Sequence, residues 1–262
     1  MALNLGVFCK STLDGEVVDH CFSSLLGFVQ NADPSYLDWL LKAWGWTLAV
    51  AGLGLMIALI LGFLMGTLRT LPEASTLNRW LERFSTVWVE LFRNIPILVQ
   101  VFLWYHVIPA FFLTLKALPS YWLVSIALGF FTSARIAEQV RAGIQALPSG
   151  QRVAATALGL TTSQSYRYVI LPMALRIVIP PLTSESMNLI KNSSVAFAVS
   201  VPELTLFAMQ AQEETSHGVE IYLAVTLLYA LSAFAVNRVM TMIEKRIRIP
   251  GFSVGSNNAV VH

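Results

Sequence analysis

The sequence predicts an all-α polytopic membrane protein with about five transmembrane helices. Three observations carry that reading. Only 12% of the 262 residues are charged and 56% are hydrophobic, against about 25% charged in a typical soluble domain; water does not solvate a surface so poor in charge. Apolar stretches of spanning length, roughly 20 residues, recur along the chain. Lysines and arginines gather in alternate connections between those stretches.

Residues 1–40 read as an external segment ahead of the first span. Their apolar stretch, Leu3 to Phe8, stops at Lys10 and follows no basic region, so it is not a secretory leader. Cys9 and Cys21 are too few for a disulfide framework or a thiolate metal site; two free thiols are the expectation and a bond between them the alternative. The first span is Ala43 to Leu68, because no charge intervenes between Lys42 and Arg69. The second is placed at about Trp88 to Phe112, with Glu90 and Arg93 in its first turns. The third runs from about Tyr121 to Val140 and holds Arg135 and Glu138. The fourth runs from about Arg176 to Val201 and holds Glu185 and Lys191. The last covers about Ile221 to Met242, and the tail after Pro250 reads as disordered.

Loop charge sets the expected orientation. Arg69, Arg79 and Arg83 lie between spans one and two, Arg141, Arg152 and Arg167 between three and four, and Lys245, Arg246 and Arg248 after span five. The opposite side carries Lys10, Lys42 and Lys116, set among Asp14, Glu16, Asp19, Asp33, Asp38, Glu213, Glu214 and Glu220, and Trp39, Trp44, Trp46, Tyr121 and Trp122 suit an outer aromatic belt. With an odd number of spans, the N-terminus lies outside and the C-terminus in the cytoplasm.

The cytoplasmic loop at about residues 145–175 is the most informative stretch. Gly150-Gln-Arg-Val153-Ala154-Ala155-Thr-Ala-Leu-Gly159 followed by Tyr166 to Pro172 reads as a short helix, a glycine break, and a second helix ending at a proline. Gly159 supplies a turn that a Cβ would resist, Pro172 opens the next segment, and the two alanines leave a shallow apolar notch. Such an elbow at a membrane surface suits docking of a soluble partner.

This run resembles the EAA loop of ABC import permeases, in which Glu-Ala-Ala, a glycine and Ile-x-Leu-Pro recur at fixed spacing. Ala154, Ala155, Gly159, Leu171 and Pro172 match, while Val153 replaces the glutamate and Val169 the isoleucine. Glu90 to Gln100, Gln164, Arg167, Ala174, Leu175, Arg176, Pro180, Pro181 and the run Asn188 to Ser194 are similar to polar-amino-acid permeases. Phe131 to Arg141 and Pro181 to Asn188 are most like glutamate/aspartate permeases. The resemblance covers about residues 40 to 248, leaving residues 1–40 as an external segment and 249–262 as a cytoplasmic tail.

It implies a permease subunit in a bacterial inner membrane, translocating glutamate or aspartate; histidine, glutamine or cystine is the alternative. It also implies two copies of an ATP-binding subunit, a second permease (related or identical), and a periplasmic amino-acid-binding protein. No cofactor is expected in this chain, since ATP and magnesium would sit on the partner ATPase, and no nucleic acid is implied. The chain contains no Gly-x-x-x-x-Gly-Lys-Ser/Thr phosphate loop.

Charges within hydrocarbon cost about 2.5 kcal/mol or more and seek partners or a wet cavity. Ser184, Glu185, Asn188, Lys191 and Asn192 fall on about a third of the helix circumference, and Thr132, Arg135, Glu138 and Gln139 gather similarly on span three. An acidic amino acid wants two cations and one anion. Arg135 and Lys191 suit its carboxylates, Glu185 its ammonium, and Asn188 and Asn192 the remaining hydrogen bonds. The plainer alternative pairs Arg135 with Glu138, three residues on, or lets Arg135 snorkel towards the cytoplasm. Other classes fit worse. His106 and His217 have no matching Ser or Asp constellation for a membrane enzyme, and the inverted repeats of secondary transporters are not visible.

Overall fold

The computed structural model describes residues 3–13, 15–17, 21, 34–72 and 75–247; the tail after Pro250 lies outside them. Among these residues the chain is helical, with two isolated bridges, Lys10 to Val17 and Ser11 to Ser35. After a short turn at Leu5–Cys9 come α1 (Tyr36–Leu68), α2 (Thr76–Asn94), α3 (Ile97–Phe111), α4 (Ser120–Gln145), α5 (Ser149–Ala157), α6 (Thr162–Val199), α7 (Leu204–Thr215) and α8 (Gly218–Ile247). Four of these, α1, α4, α6 and α8, are long and apolar enough to cross a membrane; the bent pair α2 and α3 makes a fifth if counted as one span. The chain divides into two units: Met1–Ile57, Ile95–Phe131 and Asn188–Phe234 in the first, Ala58–Asn94, Thr132–Met187 and Ala235–His262 in the second.

In the first unit the N-terminal segment is tied to helix ends. The Asn4 N–H donates to Glu220 at 3.0 Å and Val7 is buried. Cys9 and Cys21 form a disulfide, which overturns the expectation of two free thiols. The fold brings them together: the Leu5–Cys9 turn and the Ser35 hydroxyl, which donates to the Cys21 carbonyl at 2.9 Å, gather both at the head of α1. The Ser35 N–H donates to the Asp38 carboxylate and the Asp38 N–H to the Ser35 hydroxyl oxygen, each at 3.2 Å, which caps α1 reciprocally. Glu203 caps α7, its buried carboxylate accepting the N–H groups of Thr205 and Leu206 at 2.9 and 3.0 Å and the Tyr229 hydroxyl at 2.6 Å. Burial pushes that carboxyl above its ordinary range, and these donors pull it back. Around the cap Leu40, Ala43, Phe207, Ala208 and Ile221 form a core, while Val101 of α3 packs with Val124 and Leu128 in another.

In the second unit α1 and α4 approach closely. A Cβ on Gly62 would stand 2.5 Å from Ile136 Cγ2, and one on Gly66 2.6 Å from the Ala137 carbonyl, so glycine is required for this contact. The Tyr166 hydroxyl donates to the Thr70 carbonyl, fastening the start of α6 beside the end of α1.

Two expected helix boundaries are corrected. No continuous helix covers Trp88 to Phe112: Pro96 has no N–H and disfavours helical geometry at Ile95, so α2 stops at Asn94 and α3 restarts with Pro96 as its extended cap. The helix that holds the fourth span begins at Thr162, well before Arg176, because Pro172 does not end the helix that precedes it. A widened turn at Tyr166–Ile170 comes just before Pro172, where a regular turn would press the proline ring on the carbonyl of Tyr168. The helix then runs on through Pro180 and Pro181.

Candidate functional site

In the second unit Arg135 of α4 meets Glu185 of α6 in a parallel fork. Nε donates to Oε2 at 2.8 Å and Nη2 to Oε1 at 3.2 Å, while Gln139 Nε2 donates to Oε1 at 3.5 Å. The Glu185 side chain is 5% exposed and that of Arg135 43%. A bidentate pair satisfies the buried carboxylate, whose desolvation would otherwise be costly, and leaves an open edge on the guanidinium.

The alternative pairing of Arg135 with Glu138 does not form. Positions three apart on a helix differ by about 60° in direction, and here that difference selects different neighbours. Glu138 faces Arg69 at 2.6 Å, Arg141 at 3.5 Å and Arg93 at 3.6 Å, so three guanidiniums from α4 and the flanks of α1 and α2 surround one carboxylate. The supposed single polar face of α4 is thus divided, with Arg135 and Gln139 on Glu185 and Glu138 on the arginines. Thr132, on the same helix, is buried with its hydroxyl unpartnered. The three arginines around Glu138 were not legible in the sequence as one cluster, because Arg69 lies 69 residues from Glu138.

Asn188, Lys191 and Asn192 belong to the first unit. Lys191 is exposed and the two asparagines are half-buried. Lys191 occupies the last regular turn before the helix tightens at Ser193–Val199 and stops at Ser200, whose φ is 57°. An ammonium there also suits the negative end of the helix dipole.

The loop between α4 and α6 has the expected helix, glycine and helix, and its hydrogen bonds explain the spacing. Gly159 N–H bonds the Thr156 carbonyl at 2.9 Å and Leu160 N–H bonds the Ala155 carbonyl at 3.1 Å. With Gly159 at φ 74°, this pair of bonds is a Schellman cap. Thr161 and Gln164 then form a capping box that starts α6. No atom lies within 4 Å of the position a Gly159 Cβ would take, so backbone geometry alone requires glycine there. Ala155 is buried and Ala154 exposed; Leu171 is half-buried and Pro172 exposed. A cavity of about 760 Å³ beside the loop is walled by Ile144, Leu147, Pro148, Val153, Ala157 and Ile170. Leu158, 81% exposed, and Tyr168 stand out from the same loop. Sequence reasoning passed over both, although a leucine beside a loop glycine with no helix face to join was a usable signal.

Residues 58–249 match the family described as binding-protein-dependent transport system inner membrane component. The glutamate/aspartate import permease protein GltJ of Escherichia coli (strain K12) is 41% identical over 237 residues, covering 86% of this chain and 94% of the relative. The probable glutamine ABC transporter permease protein GlnM of Bacillus subtilis (strain 168) is 34% identical, covering 77% and 89%. Among solved structures, a chain of an amino acid ABC transporter with histidines superposes at TM-score 0.69 with 26% identity, covering 80% of this chain and 95% of that one. The MetNI methionine ABC transporter in an inward-facing conformation gives the same TM-score at 22% identity, covering 80% and 97%, a likeness of fold.

Proposed function

Since the chain belongs to the family of binding-protein-dependent transport system inner membrane components and is a permease of an ABC amino-acid importer, we propose that its substrates are glutamate and aspartate. The observation that carries this is the Arg135–Glu185 fork. Glu185 aligns the guanidinium through Nε and Nη2, and the exposed edge of Arg135 offers Nη1 to a substrate carboxylate in a planar, bidentate-capable geometry. Glu185 is thereby a partner of Arg135 before it is a ligand of the ammonium. Lys191, Asn188 and Asn192 keep their proposed role as substrate contacts. The similarity to a glutamate/aspartate permease supports the acidic substrate.

A second reading has its own observation. The Arg135–Glu185 pair is neutral overall, which suits a zwitterion without side-chain charge, and a relative named for glutamine shares much of the sequence. Reconstitution in vesicles with an ATPase subunit and the binding protein separates the two. ATP-driven uptake of glutamate and aspartate that falls in R135Q supports the acidic reading. Uptake of glutamine without glutamate by the unaltered protein overturns it.

The same proposal assigns the α5–Gly159 elbow to docking on a separate ATP-hydrolysing subunit, which holds ATP and magnesium. Ala154, Ala155, Gly159, Leu171 and Pro172 shape that elbow, and exposed Val153 and Leu158 supply apolar contact. Mutual Lys and Arg placement supports an outside N-terminus and a cytoplasmic C-terminus. A related or identical second permease and an external binding protein complete the assembly.

A further inference from the structure

Helix α2 carries three distinct faces. Ser85, Val89 and Phe92 are buried, and Trp88 Nε1 donates to Ser133 Oγ at 3.1 Å. A second face presents Leu77, Trp80, Phe84, Val87 and Leu91, all at least half exposed, with Trp80 at 65%. Their spacing of three and four residues makes one continuous stripe along the whole helix. The third face, between these two, is polar and exposed, with Arg79, Arg83, Glu90 and Arg93. A helix with an apolar stripe and a basic stripe beside it, its nine apolar residues balanced by charged and polar ones, is suited to lying in a membrane interface.

The packing of α2 within its unit fixes its path. Asn78 Nδ2 donates to the carbonyl of Pro72, just past the end of α1, at 2.8 Å. Trp88 meets Ser133, whose position on α4 is about 18 Å before the end of that helix at the usual rise. Gly66 of α1 lies against Ala137 of α4, so the C-terminal ends of those two spans stand side by side. Helix α2 therefore starts near these ends, meets Ser133 at Trp88, and at Arg93 reaches back to Glu138, five residues nearer the end of α4, so it crosses α4 obliquely with Arg79 and Arg83 at its shallow end. One leaflet surrounds this level, and its anionic phosphates complement the arginines in charge.

We infer that α2 lies obliquely within one leaflet, its Leu77–Trp80–Phe84–Val87–Leu91 stripe among acyl chains and Arg79 and Arg83 on the phosphates of anionic lipids. The partner is the lipid surface itself, and the stripe anchors the connection between the first two spans. Nothing in this depends on which amino acid is carried.

Single cysteines tested in the full assembly in lipid vesicles decide it, since the native Cys9–Cys21 disulfide does not take a thiol-reactive spin label. Labels at L77C, W80C, F84C, V87C and L91C are expected to be relaxed by oxygen, and those at R79C and R83C by a water-soluble nickel chelate. Depth should grow from L77C to L91C without passing the midplane. Stripe labels shielded from both relaxants would mean that a protein chain, such as a second permease copy, covers the helix. Labels that pass into the far leaflet would make α2 a membrane-crossing segment. Either result overturns the inference. The arginines have their own test, the quenching of Trp80 by brominated lipids, read as the difference from W80F. Brominated phosphatidylglycerol should quench at least twofold more than brominated phosphatidylcholine, and R79Q/R83Q should abolish the difference. Equal quenching in the unaltered protein refutes the phosphate contact.

Discussion

In the first unit, carboxylates are held by neutral donors: Glu203 by two backbone N–H groups and the Tyr229 phenol, Asp38 by Ser35, Glu214 by Tyr36. In the second, Glu138 is held by three guanidiniums and Glu185 by one. The two arrangements answer different needs. Neutral donors satisfy a carboxylate without adding charge, and Asp38 and Glu203 use them to fix the first turns of α1 and α7. Guanidinium partners add positive charge, and around Glu138 they outnumber the carboxylate. Groups of the first kind hold helix ends in place, whereas those of the second can meet an anion from outside.

The sharpest way to break this contrast is E138Q. Arg69, whose side chain is only 10% exposed, would lose its carboxylate, and an uncompensated buried charge typically costs about 3–5 kcal/mol. Thermal unfolding in detergent should show a larger loss for E138Q than for any variant of a neutrally held carboxylate; an equal loss removes the distinction. Next comes R135Q, expected to reduce glutamate and aspartate uptake about tenfold to a thousandfold, from roughly 2–5 kcal/mol for losing one member of a desolvated pair. R135K should recover only part, because an ammonium lacks the planar fork. The double variant R135Q/E185Q separates binding from architecture: it stays defective if Arg135 holds substrate and recovers if the pair only holds helices together.

Y229F probes the neutral side. It removes one donor from buried Glu203 and should cost about 1–3 kcal/mol of stability, with uptake by the remaining folded protein unchanged. G159V is expected to cost least in stability, about 1–2 kcal/mol of left-handed backbone strain, because nothing packs where the side chain would go. Uptake should nevertheless fall with membrane insertion intact. Normal uptake and normal ATPase stimulation in G159V would exclude the docking role of that elbow.

The spans α1, α4 and α8 were legible because each is a continuous apolar run, and the Schellman glycine was legible because its spacing is local. The break at Pro96 was not, since hydropathy averages over a bend. Pro172 misled for the opposite reason: a proline reads as a helix end, yet a widened turn beforehand lets the helix pass through it. At the candidate site, the sequence named Arg135 and Glu185 separately, as one ligand for each end of the substrate. That they grip each other depends on the packing of α4 on α6, 50 residues apart. The disulfide was missed because spacing alone does not show that the Leu5–Cys9 turn and Ser35 bring two cysteines to one helix end.

Pro180 and Pro181 stand in the middle of α6. Neither has an amide hydrogen, so two consecutive rungs of the helix ladder, to the carbonyls of Arg176 and Ile177, are missing by covalent structure. Flexing a helix elsewhere stretches bonds it already has; here there are none to stretch. The rod is therefore softest one turn before Glu185, whose carboxylate is clamped to α4 by the fork to Arg135. A torque applied at the loop end of α6 would be taken up at this pair of prolines, giving a built-in elastic joint beside the ion pair that ties α6 to α4.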